Sequence, residues 1–198
     1  MSHSATDRLW DAVVADDPAA AVVAIADGAE LEARDGSGAT PLVAATKAEQ
    51  TELALALLEA GADPNAKDDI QDSAYLYAGA RGLNEILVAT LEHGADLTST
   101  NRYGGTALIP ASERGHVETV RILIAAGVDV NHINRLNWTA LHEAIVLGDR
   151  SANHVEVVRL LLEGGADITI PDGDGVLARD LAAARGHDAM VALIDRAR

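Results

Sequence analysis

Asn101–Ile133 reads NRYGGTALIPASERGHVETVRILIAAGVDVNHI. Asn101 to Gly105 form a turn, because the two glycines supply the positive φ that tight turns need. Thr106 is placed to cap a short helix over Ala107 to Arg114, its hydroxyl accepting an N–H of the first helical turn. Gly115 ends that helix as a residue that tolerates the left-handed conformation. A second helix spans Val117 to Ala126, with Val117, Val120, Leu123 and Ile124 on one face at helical spacing, and Gly127 closes it. A turn and two short helices cannot bury their apolar face alone. Such a module needs a neighbour of the same kind on each side.

The neighbours are in the sequence. The closing glycine recurs at Gly28, Gly61, Gly94 and Gly127, always 33 residues apart, and again 38 residues later at Gly165. Gly61, Gly94 and Gly165 open Gly-Ala-Asp, Gly127 opens Gly-Val-Asp and Gly28 opens Gly-Ala-Glu. A capping hydroxyl stands twelve residues after the first four glycines, at Thr40, Ser73, Thr106 and Thr139. Five residues beyond each comes a small residue: Ala45, Ala78, Ala111 and Ala144. This pattern resembles the ankyrin repeat, whose period and T-P-L-H-x-A signature it carries, best at Thr40-Pro41-Leu42 and Thr139-Ala140-Leu141-His142-Glu143-Ala144. The resemblance covers nearly the whole chain. It implies an all-α solenoid of about six stacked helix–turn–helix repeats with short β-turn or hairpin loops, its first and last repeats acting as caps.

In order, the modules are residues 5–34, 35–67, 68–100, 101–133, 134–171 and 172–198, together one domain over 5–198. The first lacks the turn and the T-P-L start. Its helices run from Arg8 to Val14 and from Pro18 to Ala26, with Trp10 a plug in the core. In the second, Thr40 caps, Pro41 takes the first helical position and Leu53 to Ala60 form the second helix. The third module's turn, Asp68 to Asp72, has no glycine, and Tyr75 takes the place of the signature leucine. In the fourth, Pro110 removes one hydrogen bond near the start of a short helix. The fifth carries five extra residues, Asp149 to Asn153, polar except for Ala152, which read as an exposed loop that the fold does not need. His116, His154 and His187 share one repeat position and read as hydrogen-bonded loop histidines.

With 48% apolar residues the 198-residue chain can build a large core, but aromatics are only 3%, so Ala, Leu and Val make it. There is no cysteine, which fits a reducing cytoplasm and removes disulfides, thiolate metal sites and a cysteine nucleophile. The start, MSHSATDRLW, has no basic segment followed by an apolar run, and no stretch approaches the roughly 20 apolar residues of a membrane span. A net charge of −16 argues against nucleic acid and anionic membranes, and reads first as a solvated acidic surface and second as selection of a basic partner. Abundant Ala and Arg, with Lys47 and Lys67 the only lysines, point to a GC-rich bacterial genome.

Catalytic and cofactor patterns fail in detail. His142-Glu143 lacks the second histidine of a zincin, since Val146 stands four residues on. Gly36-Ser37-Gly38 runs into Pro41, and Gly173-Asp174-Gly175-Val176-Leu177-Ala178 lacks a strand before it, so neither holds a dinucleotide. After Asp172 and Asp174, Val176 and Leu177 break a calcium loop. No catalytic residue, cofactor or metal is expected.

In the family the resemblance suggests, partners meet the turn tips and the inward face of the first helices. Carried over by position, this gives Ile70, Arg81, Arg102, Tyr103, Arg114, Arg135, Leu136 and Trp138 as protein-binding residues, with Trp138 and Tyr103 as anchors. The implied function is a non-enzymatic, monomeric, cytoplasmic scaffold for a protein partner. Two alternatives stand beside it. One is an assembly module without an independent partner. The other is a small-molecule or catalytic pocket near Tyr77, Pro110 and Glu143, which share one repeat position. If that position faces the neighbouring first helix, Glu143 is buried and needs a donor such as Tyr77, His142 or a backbone N–H.

Overall fold

The structure is a computed structural model and describes residues 4–197. Met1 to His3, part of the stretch read for an export signal, and Arg198, the end of the last module, lie outside them. Six helix pairs follow one another: α1 (Ala5–Ala15) and α2 (Pro18–Ala26), α3 (Pro41–Lys47) and α4 (Thr51–Glu59), α5 (Ala74–Arg81) and α6 (Asn84–Glu92), α7 (Leu108–Glu113) and α8 (Val117–Ala126), α9 (Ala140–Val146) and α10 (Ala152–Glu163), α11 (Ala178–Ala184) and α12 (Asp188–Arg196). The described residues contain no strand, only an isolated antiparallel bridge between Pro171 and Leu177. The chain divides into two compact units, one running to Ala78 with Leu83–Asp96 and the other comprising Gly79–Gly82 and everything from Leu97.

The core is aliphatic. In the first unit Leu9, Leu42, Leu53, Leu57, Ile86 and Leu87 are fully enclosed, and in the second Leu108, Leu123, Leu141, Ile145 and Leu161. Ala45, Ala78, Ala111 and Ala144 are also fully enclosed, so the repeated small residue marks where helices pack too closely for a longer side chain. Tyr75 is buried, as expected of a residue in the signature leucine position. Its hydroxyl has no partner, and burial holds its pKa well above the usual phenol value. Trp10 is half-buried, so it covers the edge of the first pair's core and does not plug the centre. Helix α1 begins at Ala5, three residues before the expected start, because Ser4 and Asp7 form a capping box.

Two expectations about the helices of the second unit change. The Thr106 hydroxyl does not cap α7 and has no hydrogen-bond partner. In three other repeats the capping carbonyl takes the N–H four residues on: Thr40 from Ala44, Ser73 from Tyr77, Thr139 from Glu143. The hydroxyl then takes the N–H three residues on, from Val43, Leu76 and His142. Four residues after Thr106 stands Pro110, which has no N–H. The Thr106 carbonyl therefore takes the Ile109 N–H at 3.2 Å, and the hydroxyl loses its donor.

The insertion is only partly a loop. Asp149 and Arg150 are exposed, but Ala152 and Asn153 belong to α10, capped by the Ser151 hydroxyl, which accepts the His154 N–H. The left-handed residue that follows the first helix, Asp16, Glu49, Gly82, Gly115 and Gly186 in the other repeats, is here Arg150 with φ 63°. Gly148 is kept for space: a Cβ there would stand 2.1 Å from the Ala144 carbonyl oxygen and 2.5 Å from the His154 ring.

Candidate protein-binding surface

Each turn is built by its first residue. Asp35, Asp68, Asn101, Asn134 and Asp172 pair their backbone N–H with the carbonyl four residues on. Each also accepts, on Oδ1, the N–H groups two and four residues on. The side chain holds the turn from inside, so the second and third residues point away from it. The fourth residue has positive φ in all five turns: Gly38, Gln71, Gly104, Asn137 and Gly175. The Asx residue recurs at the repeat spacing and was visible in the sequence, but the turn was read through its glycines.

In the second unit two consecutive turns are joined directly. The Arg135 N–H donates to the Tyr103 carbonyl at 3.0 Å, and Arg135 Nη1 to the Arg102 carbonyl at 2.7 Å. His132 Nε2 meets the Gly104 carbonyl at 2.7 Å. The Arg102 guanidinium lies 4.9 Å from the centre of the Tyr103 ring. Tyr103 is 57% and Leu136 58% exposed, and Arg102 and Arg135 are exposed beside them. Trp138 is half-buried at the base of its turn, where its backbone closes the loop with Asn134. Its side chain is thus less prominent than expected of an anchor. Arg81 and Arg114 are exposed at the ends of α5 and α7, and Arg114 Nη1 donates to the Ala80 carbonyl at 2.6 Å. Ile70, 49% exposed, stands on a turn of the first unit.

Two of the three residues of the alternative pocket have local structural partners, and the third is buried. Tyr77 lies in the first unit with the Lys47 ammonium 5.7 Å from its ring centre, and Lys47 also pairs with Asp68 and Asp72. Pro110 is buried in the second unit. Glu143 is 5% exposed and does have a donor: Asn134 Nδ2, at 2.8 Å, and none of the three named from the sequence. Burial, with the Glu113 charge nearby, raises its pKa to about 7 against the opposing Asn134 bond.

His142 shows what the T-x-L-H signature does. Its Nδ1 accepts the Thr139 N–H at 3.1 Å, and its own N–H meets the Thr139 hydroxyl. The ring is enclosed, burial lowers its pKa, and Nε2 has no partner. His154 Nε2 reaches the Glu113 carbonyl at 2.8 Å, while Asp149 holds its Nδ1 at 2.7 Å. The five-residue insertion therefore preserves the tie of this histidine to the preceding repeat. Among the described residues no group of His, Asp or Glu could hold a metal ion, and no helix is long and apolar enough to cross a membrane.

The model of ankyrin repeats in three copies matches residues 75–172, and the single ankyrin repeat model matches residues 37–69. The chain belongs to the ankyrin repeat family. It is similar to the crystal structure of an ankyrin repeat domain from Acinetobacter baumannii AYE, with 53% identity, 96% of each chain covered and a TM-score of 0.93. It is also similar to the crystal structure of EF0377, an ankyrin repeat protein, with 37% identity, 98% of each chain covered and a TM-score of 0.92. No curated protein matches. Membership makes the fold an ankyrin solenoid, built of repeats that generally serve protein–protein interaction. The partner is left to the surface residues.

Proposed function

We propose that this ankyrin protein binds a partner protein through the joined turns of its second unit, with Tyr103 and Leu136 as apolar contacts and Arg102 and Arg135 as charged ones. The observation that carries the reading is the exposure, on two consecutive hydrogen-bonded turns, of an aromatic ring and guanidinium groups, the types that dominate interface energetics, beside an aliphatic side chain. Several backbone and side-chain hydrogen bonds tie these turns, so little order has to be imposed on binding. Trp138 flanks the patch from its half-buried seat. The reading takes the chain as a non-enzymatic, monomeric, cytoplasmic binder. Engagement of Tyr77 by Lys47 and of Glu143 by Asn134 favours it over a catalytic pocket at those positions.

The test is an affinity capture from the native host with the parent, Tyr103→Ala and Trp138→Ala proteins. Tyr103→Ala should keep the helical circular dichroism and melting point and lose the captured protein, by about 2 kcal/mol or more in affinity. Trp138→Ala should weaken capture less and cost some stability. A partner held equally by all three proteins sinks the proposal.

A further inference from the structure

Five arginines of the second unit fall into two classes by what they touch. Arg121 meets Glu118 and Glu156, Arg159 meets Glu156 and Glu163, and Arg179 meets Asp195. Those charges are compensated within the protein. Arg114 and Arg135 are anchored differently, each by one Nη1 donating to a carbonyl of the preceding repeat, Ala80 and Arg102. A carbonyl positions a guanidinium without cancelling its charge. A single anchoring N–H leaves the remaining donors of the planar fork for a second acceptor.

In the two segments that carry these arginines, positive side chains outnumber negative ones. The turns and first helices from Asn101 to His116 and from Asn134 to Gly148 carry Arg102, Arg114 and Arg135 against Glu113 and Glu143. Of those two carboxylates, Glu143 is enclosed and bonded to Asn134. His116 reports the same field: burial lowers its pKa most, and the charges of Arg114 and Arg81 lower it further. Over these two segments the sign is opposite to the net −16 of the chain, while Asp149 follows Gly148 and the next turn, whose Gly173 lies against Leu136 and Asn137, brings Asp172 and Asp174. At physiological ionic strength the screening length is about 8 Å, so the groups that touch a bound segment weigh more than carboxylates farther away than that.

We infer that the segment this surface binds is an acidic one, a stretch of partner protein rich in Asp and Glu whose carboxylates are received by Arg114 and Arg135 and whose apolar side chain rests on Tyr103 and Leu136. The inference rests on the proposed function and names its partner class. Fork-to-carboxylate pairing is strong and directional, and the carbonyl anchors have already ordered both guanidinia. A basic segment, which net charge alone would select, meets like charge here.

The experiment is selection of a random short-peptide display library on the whole protein, followed by titration of synthesised winners. Winners should be enriched in Asp and Glu with a large apolar residue. They should bind the parent, Arg121→Gln and Arg159→Gln proteins alike. Arg114→Gln and Arg135→Gln should bind them about tenfold more weakly or worse, with unchanged circular dichroism. A library that yields no winners, or winners that are basic or uncharged, overturns the inference. So do winners insensitive to both arginine variants, or an oligonucleotide that binds the variants in the same order. Winners weakened by Tyr103→Ala but indifferent to the arginines overturn the acidic partner and leave the surface reading standing. Winners indifferent to all three overturn both.

Discussion

Asn134 holds Glu143 and its own turn at once: Nδ2 donates to Glu143 Oε1 at 2.8 Å, while Oδ1 accepts the N–H groups of Leu136 and Trp138. One amide thereby ties the turn that carries Leu136 to the first turn of α9. An amide serves both groups, because an aspartate at the same place could hold the turn but has no N–H to give and would repel the ionised Glu143. The preceding turns of the first unit use Asp35 and Asp68, and neither first helix of that unit places a carboxylate at the equivalent position.

The raised pKa of Glu143 makes stability depend on pH. Its folded-state value of about 7 lies above the ordinary 4.5, so the folded protein holds the proton more tightly than the unfolded chain. The contribution of Glu143 to stability is therefore greatest below about pH 4.5, falls through the window from 4.5 to 7 and levels off above it, by about 3 kcal/mol for the full shift. Glu143→Gln keeps an acceptor for Asn134 and removes the titration. Urea melts of both proteins at pH 5 and pH 8 should show the variant gaining on the parent at the higher pH. An equal difference at both would mean that Glu143 does not titrate there.

Thr106 and Thr40 occupy the same repeat position with different outcomes. Thr40 Oγ1 accepts the Val43 N–H at 3.3 Å, whereas Thr106 Oγ1 is buried without a partner. Thr40→Val should cost about 1 kcal/mol, the value of a helix cap. Thr106→Val removes an unsatisfied hydroxyl and should be neutral or stabilising by about 1 kcal/mol. Equal losses in a denaturant titration would show that the Thr106 hydroxyl is satisfied in solution.

At Gly148 the constraint is steric, since its φ is not in the left-handed region. An added methyl would meet the Ala144 carbonyl and the His154 ring, and neither can move without breaking α9 or the His154–Glu113 tie. Gly148→Ala should destabilise by about 2–3 kcal/mol. Deleting Asp149 to Asn153 removes the Ser151 cap and the start of α10, and should cost about 1 kcal/mol, not nothing. Thermal and urea melts of the two variants would reverse the order if the insertion were the stronger element.

Gln71 and Asn137 carry positive φ, 68° and 59°, where the other turns use glycine. A side chain there costs about 1–2 kcal/mol, less for asparagine, which tolerates the left-handed region. Gln71→Gly should therefore stabilise by up to about 1 kcal/mol after the extra entropy of the unfolded chain is subtracted, and Asn137→Gly by less. A lower denaturation midpoint for Gln71→Gly would show that its side chain makes a contact worth more than the strain.

The sequence by itself determined the architecture, because the architecture is periodic. Glycine, hydroxyl and small-residue spacings each report a local requirement repeated at the same interval, and a helix pair that cannot bury its own face must stack. The sequence also determined which residues stand at the turn tips, since turn geometry is local. It did not decide what those side chains do there. Trp138 withdraws into a half-buried seat while Tyr103 and Leu136 project. Pro110 takes the hydroxyl bond from Thr106, and Glu143 finds Asn134 nine residues upstream. Arg114 and Arg135 reach carbonyls 34 and 33 residues earlier, while Arg121 and Arg159 reach carboxylates. An arginine's reach and its choice among several acceptors depend on neighbours brought in from other repeats. Only the tertiary structure fixes those neighbours.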